Sequence, residues 1–377
     1  MNAPQTEFLV DPAQRQKVVE GLKQILPQQS VLDDAERMKP YECDGLSLFR
    51  QMPMVVALPD TESQVIEIMQ LAKKLNVPVV ARGAGTGLSG GAQPHPNGIL
   101  LAMAKFNRIK AVRPESRTAV VQPGVRNLAI SEAVSPHGLY YAPDPSSQIA
   151  CTIGGNVAEN SGGVHCLKYG LTVHNVLRVR GITIDGEVIE FGSDALDSPG
   201  LDLLNLVIGS EGMLAVVTEV TVKLVPKPEK AQVIMASFDD VARAGDSVAA
   251  VIAAGIIPAG LEMMDQRASQ MVEPFANAGY DTEAAAILLL ESDGTPEEVD
   301  EEIALMSKVL KENGATAIKV SQSEAERVKF WAGRKNAFPA AGRISPDYYC
   351  MDGTIPRKQL AHVLNAITEM EKKYSLR

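Results

Sequence analysis

The chain has 377 residues, 45% of them apolar and 22% charged, an ordinary globular composition that argues against disorder and exceeds what one hydrophobic core usually supports. A formal charge of -10 with no cluster of five or more Lys and Arg argues against nucleic acid as a partner, because neutralising phosphates needs a basic footprint; a small anionic substrate stays compatible. Cys43, Cys151, Cys166 and Cys350 are scattered without zinc or cluster spacing, the N-terminus lacks a signal-peptide pattern, and no apolar run approaches a bilayer span, so a cytosolic chain is expected, any membrane contact being indirect.

Residues 55–58 read as a strand. Thr61 and Gln64 then form a capping box for a helix with Val65, Ile68, Met69, Ala72 and Leu75 on one face, ending near Asn76. A second strand, 77–81, delivers the chain into a glycine-rich run at 82–91. Strands 99–102 and 118–122 are expected to flank a turn at Pro114, with a helix over 125–135 after them. Residues 143–147 read as a turn, and the Gly- and Asn-rich stretch 152–163 as loop. Asp185-Gly186 marks a hairpin between strands 176–184 and 188–191, and 214–225 alternates as a strand with one solvated face. After Pro226-Lys227-Pro228, strands (232–237, 287–291, 315–321) and helices (240–254, 296–313, 323–337) alternate, as in an α+β cap with split strand-helix-strand topology; a last helix covers 356–374.

Gly85-Thr86-Gly87-Leu88-Ser89-Gly90 matches G-x-G-x-x-G formally. A nicotinamide-binding loop must open a helix, however, and Pro94 and Pro96 forbid one there; the chain also lacks the Gly-Lys-Ser/Thr of a P-loop. What remains is an anion-binding nest, with glycines at 83, 85, 87, 90 and 91 free to take positive φ and turn backbone N–H groups towards phosphate oxygens, or a tight surface turn. The second Gly/Asn-rich stretch favours the ligand reading, because it also lets backbone approach a bound group closely.

The segments VVARGAGTGLSGGA, PDPSSQIACTIGGNVAENSGGVHCLKYG and LLNLVIGSEGMLAVVTEVTVKLVP resemble, in order and spacing, the FAD-binding domain of the vanillyl-alcohol oxidase superfamily. Over essentially the whole chain the resemblance is to the branch of FAD-linked glycolate oxidase subunits and D-lactate and D-2-hydroxyglutarate dehydrogenases. It implies an α+β protein: an N-terminal helical segment (1–50), a two-subdomain PCMH-type FAD-binding domain (51–228), and a ferredoxin-like α+β cap for the substrate (229–377) that is incomplete by family standards. Carried over by position, Arg82, Gly83, Ala84, Gly85, Thr86, Gly87, Gly90 and Gly91 would bind the pyrophosphate. Asp144, Thr152, Gly154, Gly155, Asn156, Ala158, Asn160 and Gly162 would line the isoalloxazine and ribityl region, and Glu211 to Val217 would close over the adenine side. For Asn156 and Asn160 the residues alone also allow simple loop capping. Thr86 stands where relatives with covalent FAD carry histidine, so non-covalent FAD is implied.

Oxidation of a 2-hydroxy acid by a flavin needs a cation for the carboxylate and a group for the hydroxyl proton. Arg334 in FWAGRKNAF matches the family's substrate-binding position; Lys335 and Arg343 are secondary candidates, and Tyr348 and Tyr349 fit packing equally well. The five histidines form no metal-binding group. The family's His-x-Gly-Asp-Gly-Asn-x-His segment, which implies the catalytic histidines and a divalent metal, is not among these residues, so the catalytic residues are expected there. The resemblance further implies companion flavin and iron-sulfur subunits, with association at the inner membrane only through them. A stand-alone D-lactate or D-2-hydroxyglutarate dehydrogenase and a non-catalytic flavin-binding subunit are the competing expectations.

Overall fold

A computed structural model describes residues 11–195, 200–345, 349–356 and 359–375. The chain divides into two compact units, Met1–Gly163 with Gly170–Lys227, and Val164–Tyr169 with Pro228–Arg377.

In the first unit, Asp11 caps the helix Pro12–Ile25, its carboxylate accepting from the Ala13 N–H, with proline at the first helical position. The Thr61/Gln64 capping box forms as expected and opens the helix Glu62–Leu75, which ends at Asn76 with φ 52°. The apolar stripe Val65, Ile68, Met69 and Ala72 packs with Val18 and Leu22 of the first helix over Val55, Ala57, Ile99 and Leu101. Those strands form a sheet ordered Val31–Leu32, Val55–Ala57, Ile99–Ala102, Val79–Arg82, parallel apart from its first pair. Val55–Ala57 and Ile99–Ala102 are buried at every position, as a parallel sheet covered on both faces demands.

A second sheet, antiparallel throughout, runs Ile109–Arg113, Thr118–Val121, Val216–Lys223, Val176–Ile182, Val188–Gly192. The hairpin at Asp185-Gly186 is present, with Gly186 at φ 77° and Ile182 paired to Val188. Two expectations are corrected. The strand across the Pro114 turn from Thr118–Val121 is Ile109–Arg113, whose half-buried Ile-Lys-Ala-Val-Arg carries too weak an apolar signal, while Ile99–Ala102 belongs to the first sheet. Residues 152–163 are not all loop, since Ile153–Glu159 is helical. Gly154 tolerates that helix because it presses on Pro123, where a β-carbon would lie 2.5 Å from the proline Cβ, and Asn160 ends it in the left-handed region at φ 50°.

The second unit holds four antiparallel strands in the order Gly260–Asp265, Ala286–Gly294, Lys230–Phe238, Ala317–Val320, the ferredoxin-like arrangement. Helices Val241–Ala253 and Pro296–Glu312 make its crossovers. An additional helix, Gln266–Ala276, sits between the two strands that a plain hairpin would join. Neither Gly260–Asp265 nor that helix was expected: the strand has no β-branched residue, and Pro274 interrupts the helical pattern. Alternation gives the sheet two faces. Ile234, Ala236, Phe238, Leu288 and Leu290 pack on Val251, Val299 and Met306; Val233, Met235, Ile287 and Leu289 pack on Val272, Tyr280, Phe330 and Trp331.

Candidate functional site

The loop leaving Val79–Arg82 and the start of the helix Ile153–Glu159 lie against each other inside the first unit. A β-carbon on Gly83 would collide with the Thr152 Oγ1 and sit 3.8 Å from the Gly155 nitrogen. Thr152 is buried, makes no capping hydrogen bond, and its hydroxyl has no partner among the described residues. No backbone N–H from Gly83 to Gly91 donates to a protein acceptor among the described residues. Of the five glycines expected to take positive φ, Gly85 (69°) and Gly90 (84°) do so. Gly83 and Gly91 are needed for approach instead: a β-carbon on Gly91 would stand 2.7 Å from the Glu159 carboxylate. Gly87 has open space where its side chain would be.

The approach continues around the loop. Gly45 lies beneath Thr86 and Gly87, its missing β-carbon 2.9 Å and 2.7 Å from their carbonyl oxygens, and a side chain on Gly163 would collide with Asp144. Gly209 rests on Asn160, and Gly212 comes near Ala81, which brings residues 209–212 to the same place. Ala84 is exposed and Ala158 and Gly162 are half-buried along the two approaching segments, and Val217 lies in the second sheet opposite Gly181.

Several of the expected ligand residues spend their side chains on the protein. Arg82 is buried; its Nη1 donates to the Cys43 carbonyl at 2.7 Å and its guanidinium lies 5.6 Å over the Tyr41 ring. Burial lowers its pKa, against the attraction of Asp44. The Asn156 amide accepts from Asn127 at 3.0 Å and donates to the Cys151 sulfur, and Asn160 accepts from the Val173 N–H at 3.0 Å. Asp44, which sequence reasoning missed, is buried; one carboxylate oxygen accepts from Leu46 N–H and Gln93, and the other has no partner among the described residues. The Asp44-Gly45 dipeptide is a turn signal that could have marked this segment. Glu159 was also missed. Crowding by protein atoms raises its carboxyl pKa, the neighbouring Glu211 adds to the rise, and a hydrogen bond from Ser89 opposes it. Glu211 holds φ 53°, its N–H donating to the Ala158 carbonyl.

Within the second unit, the helix Glu324–Lys335 lies on the sheet face that carries Glu262 and Glu291. Glu291 is 2% exposed and accepts from both its arginine neighbour Arg327, at 2.9 Å to each oxygen, and from the Trp331 indole, with His165 at 3.1 Å. These partners hold its carboxyl below the usual range although burial pushes the other way. Asp293, two residues on, accepts from Lys168 at 2.6 Å and Tyr169 at 2.7 Å. Arg334 donates through Nε to Glu262 at 2.9 Å. Arg343 stacks 5.8 Å over Phe275, Lys335 is half-buried, Tyr349 is exposed, and Tyr348 lies outside the described residues.

Comparison with known proteins decides the family. The model for the "FAD binding domain" matches residues 53–192, and that for the "FAD linked oxidases, C-terminal domain" matches 227–377. The chain is 59% identical over 363 residues to the glycolate oxidase subunit GlcD of Escherichia coli strain K12, covering 96% of this chain and 73% of the relative. It belongs to the FAD-linked oxidases. The Bacillus subtilis GlcD subunit is 38% identical, covering 89% of this chain and 72% of the relative. A D-lactate dehydrogenase of Anaerostipes hadrus is 29% identical, with 96% and 78% covered. Among solved structures, 4-ethylphenol oxidase from Gulosibacter chungangensis superposes with a TM-score of 0.77 at 16% identity over 98% of this chain and 79% of that one. Alkyldihydroxyacetonephosphate synthase gives 0.73 at 20% identity, over 87% and 64%. These likenesses establish the PCMH-type fold expected from the sequence.

This FAD-linked oxidase is therefore an FAD-dependent oxidoreductase. Its first unit fits the cofactor: a run of free backbone N–H groups, an orphaned buried Thr152 hydroxyl and a gap that a single β-carbon would fill are the features of a cradle for a pyrophosphate built from main chain.

Proposed function

We propose that this FAD-linked oxidase oxidises a small 2-hydroxy acid, with glycolate foremost, to the 2-oxo acid, and passes the electrons to a companion iron-sulfur subunit. The observation that carries this reading is the 59% identity, over nearly the whole chain, to a protein named as a glycolate oxidase subunit. Bound FAD supplies the hydride acceptor. The loops 82–91 and 152–163, with Asp144 and the 211–217 segment, hold it without a covalent link, Thr86 offering no nucleophilic imidazole. The Arg82 guanidinium gives Nη1 to the Cys43 carbonyl and lies over Tyr41, and its remaining donors can add to a pyrophosphate held chiefly by the backbone N–H groups of the loop.

Arg334 grips the substrate carboxylate. Its Nε is tied to Glu262, which leaves two Nη groups able to donate in parallel to one carboxylate. The word "subunit" in the relatives' names supports a multi-subunit enzyme. No helix among the described residues is long and apolar enough to cross a membrane; a cytoplasmic enzyme that reaches the inner membrane through its partners fits that observation. D-Lactate oxidation is the second reading, favoured by the D-lactate dehydrogenase relative.

Anaerobic bleaching of the bound flavin, acid by acid, tests the proposal. Glycolate should reduce the flavin fastest per unit concentration; D-lactate overtaking it would establish the second reading, and a flavin that no 2-hydroxy acid bleaches would sink both.

A further inference from the structure

Arg327 and Arg334 stand seven residues apart on one helix, two turns, and so share a face. They meet two carboxylates on one face of the sheet, where Glu291 pairs across the ladder with Gly260, and Glu262 with Leu289. Their donor use differs. Arg327 gives Nη1 to both oxygens of Glu291, and Nε and Nη2 to Glu324 at 2.8 Å and 2.7 Å, so all three of its nitrogens are engaged. Arg334 gives only Nε, to Glu262, and its Nη groups have no protein acceptor among the described residues.

The root of Arg334 is fixed as well. Gly333 lies on Tyr280 so closely that a β-carbon there would stand 2.5 Å from the phenol oxygen, which donates to the Phe330 carbonyl at 2.5 Å. The Gly333 backbone is held on Tyr280 and the Arg334 Nε is held by Glu262, two contacts that restrict the orientation of the guanidinium. Ordering so long a side chain at the moment of binding costs affinity, and a group already ordered avoids that cost.

We propose that Glu262 is a positioning residue for substrate binding, holding Arg334 by Nε so that both Nη groups face the incoming carboxylate. This rests on the reading of Arg334 as the carboxylate clamp. The test uses the full chain loaded with FAD and a probe without an α-hydrogen, 2-hydroxy-2-methylpropanoate, which cannot be oxidised, beside its uncharged carboxamide. Calorimetric titration gives the carboxylate-over-amide preference for the wild type, Glu262→Gln, Glu262→Asp, Glu262→Ala and Arg334→Ala.

Glu262→Gln keeps an oxygen where Nε needs it and should hold the preference within about threefold, whereas Glu262→Ala should lower it about tenfold, the scale of losing pre-organisation in one long side chain. Glu262→Asp, with its charge kept and its oxygen withdrawn, should behave like Glu262→Ala and carries the test if the alanine variant does not fold. Carboxylate binding in Glu262→Asp that equals or exceeds wild type would overturn the proposal, since Glu262 would then only neutralise Arg334. If Arg334→Ala loses the preference while the Glu262 variants keep it, the clamp stands and the positioning role falls. If Arg334→Ala keeps the preference, the clamp itself falls.

Discussion

Gly83→Ala probes the cradle directly. Gly83 does not occupy the left-handed region, so alanine meets no backbone penalty there and tests space alone. Its methyl would collide with the Thr152 Oγ1, while the Thr152 Cβ would stay at 3.6 Å, an ordinary contact. Overpacking of this kind costs about 1–3 kcal/mol when the neighbours cannot retreat. We expect the two loops to part and relieve the strain in the free protein and to close around FAD. The cost therefore appears in cofactor affinity, a loss of about 5- to 150-fold at ~1.4 kcal/mol per decade. Thr152→Ala removes the colliding oxygen, so the double variant Gly83→Ala/Thr152→Ala should regain the steric part of the loss, a coupling of about 1–3 kcal/mol in a double-mutant cycle. Fluorescence titration of apo-protein with FAD gives the four dissociation constants, and thermal unfolding of the apo forms shows whether the fold itself suffers. Wild-type affinity in Gly83→Ala, or a double variant no tighter than Gly83→Ala, would refute the cradle.

Glu159 carries a carboxyl pKa raised by crowding and by Glu211, so it is protonated more readily in the folded protein and its charge disfavours the fold as pH rises through that raised value. FAD retention should then weaken with rising pH over the same window, and Glu159→Gln should tighten FAD about threefold at neutral pH, the size of a partly screened repulsion, and flatten the profile; an unchanged profile counts against the acidic pair lying near the phosphates. Glu291 is the opposite case. Its pKa is held below 4.5, so its stabilisation is complete above that value and is lost as pH falls through the depressed one. Glu291→Gln should cost about 3 kcal/mol at pH 7 in urea unfolding, because Arg327 loses its buried counter-charge, and the difference from wild type should shrink below pH 4.5. Finally, acid precipitation of the holo-protein should leave all flavin in the supernatant; yellow pellets would contradict non-covalent attachment.

Elements were legible in the sequence where local signals act alone: the Thr61/Gln64 cap, the Asp185-Gly186 turn, and the continuous apolar strands 55–57 and 99–101. They were hidden where packing overrides composition. Gly260–Asp265 forms because Ala286–Gly294 offers it an edge, not because Gly-Leu-Glu-Met-Met-Asp favours extension. Gly154 and Gly155 read as loop formers yet open a helix, because the neighbour against which Gly154 is needed, Pro123, lies thirty-one residues away in sequence. The same limit applied at the site. The glycine patterns marked the place, Glu159 included, but neither they nor the Asp44-Gly45 turn signal say which carboxylates meet which partners, Glu262 lies in a segment without a local motif, and only the fold brings the three together with their partners.

The two halves of the chemistry rest on different materials, and this governs how far each can be inferred from relatives. The proposed cofactor cradle is main chain and absence of side chain: Gly83, Gly91 and Gly163 matter for what they lack. Such a feature does not depend on the identity of the neighbouring side chains, and structures only 16% and 20% identical share the fold with TM-scores of 0.77 and 0.73. The proposed carboxylate clamp is side chain on side chain. One arginine of the pair on the helix Glu324–Lys335 is saturated by two carboxylates and the other by half of one, and a single substitution at 262 or 324 would redistribute their donors. Substrate preference can therefore change while FAD binding does not, so the identity at Glu262 and Arg334, rather than overall similarity, should decide which members of the family favour a 2-hydroxy acid. A relative with Arg334 retained and Glu262 replaced by an apolar residue is the natural variant to assay: its carboxylate-over-amide preference should match that of Glu262→Ala.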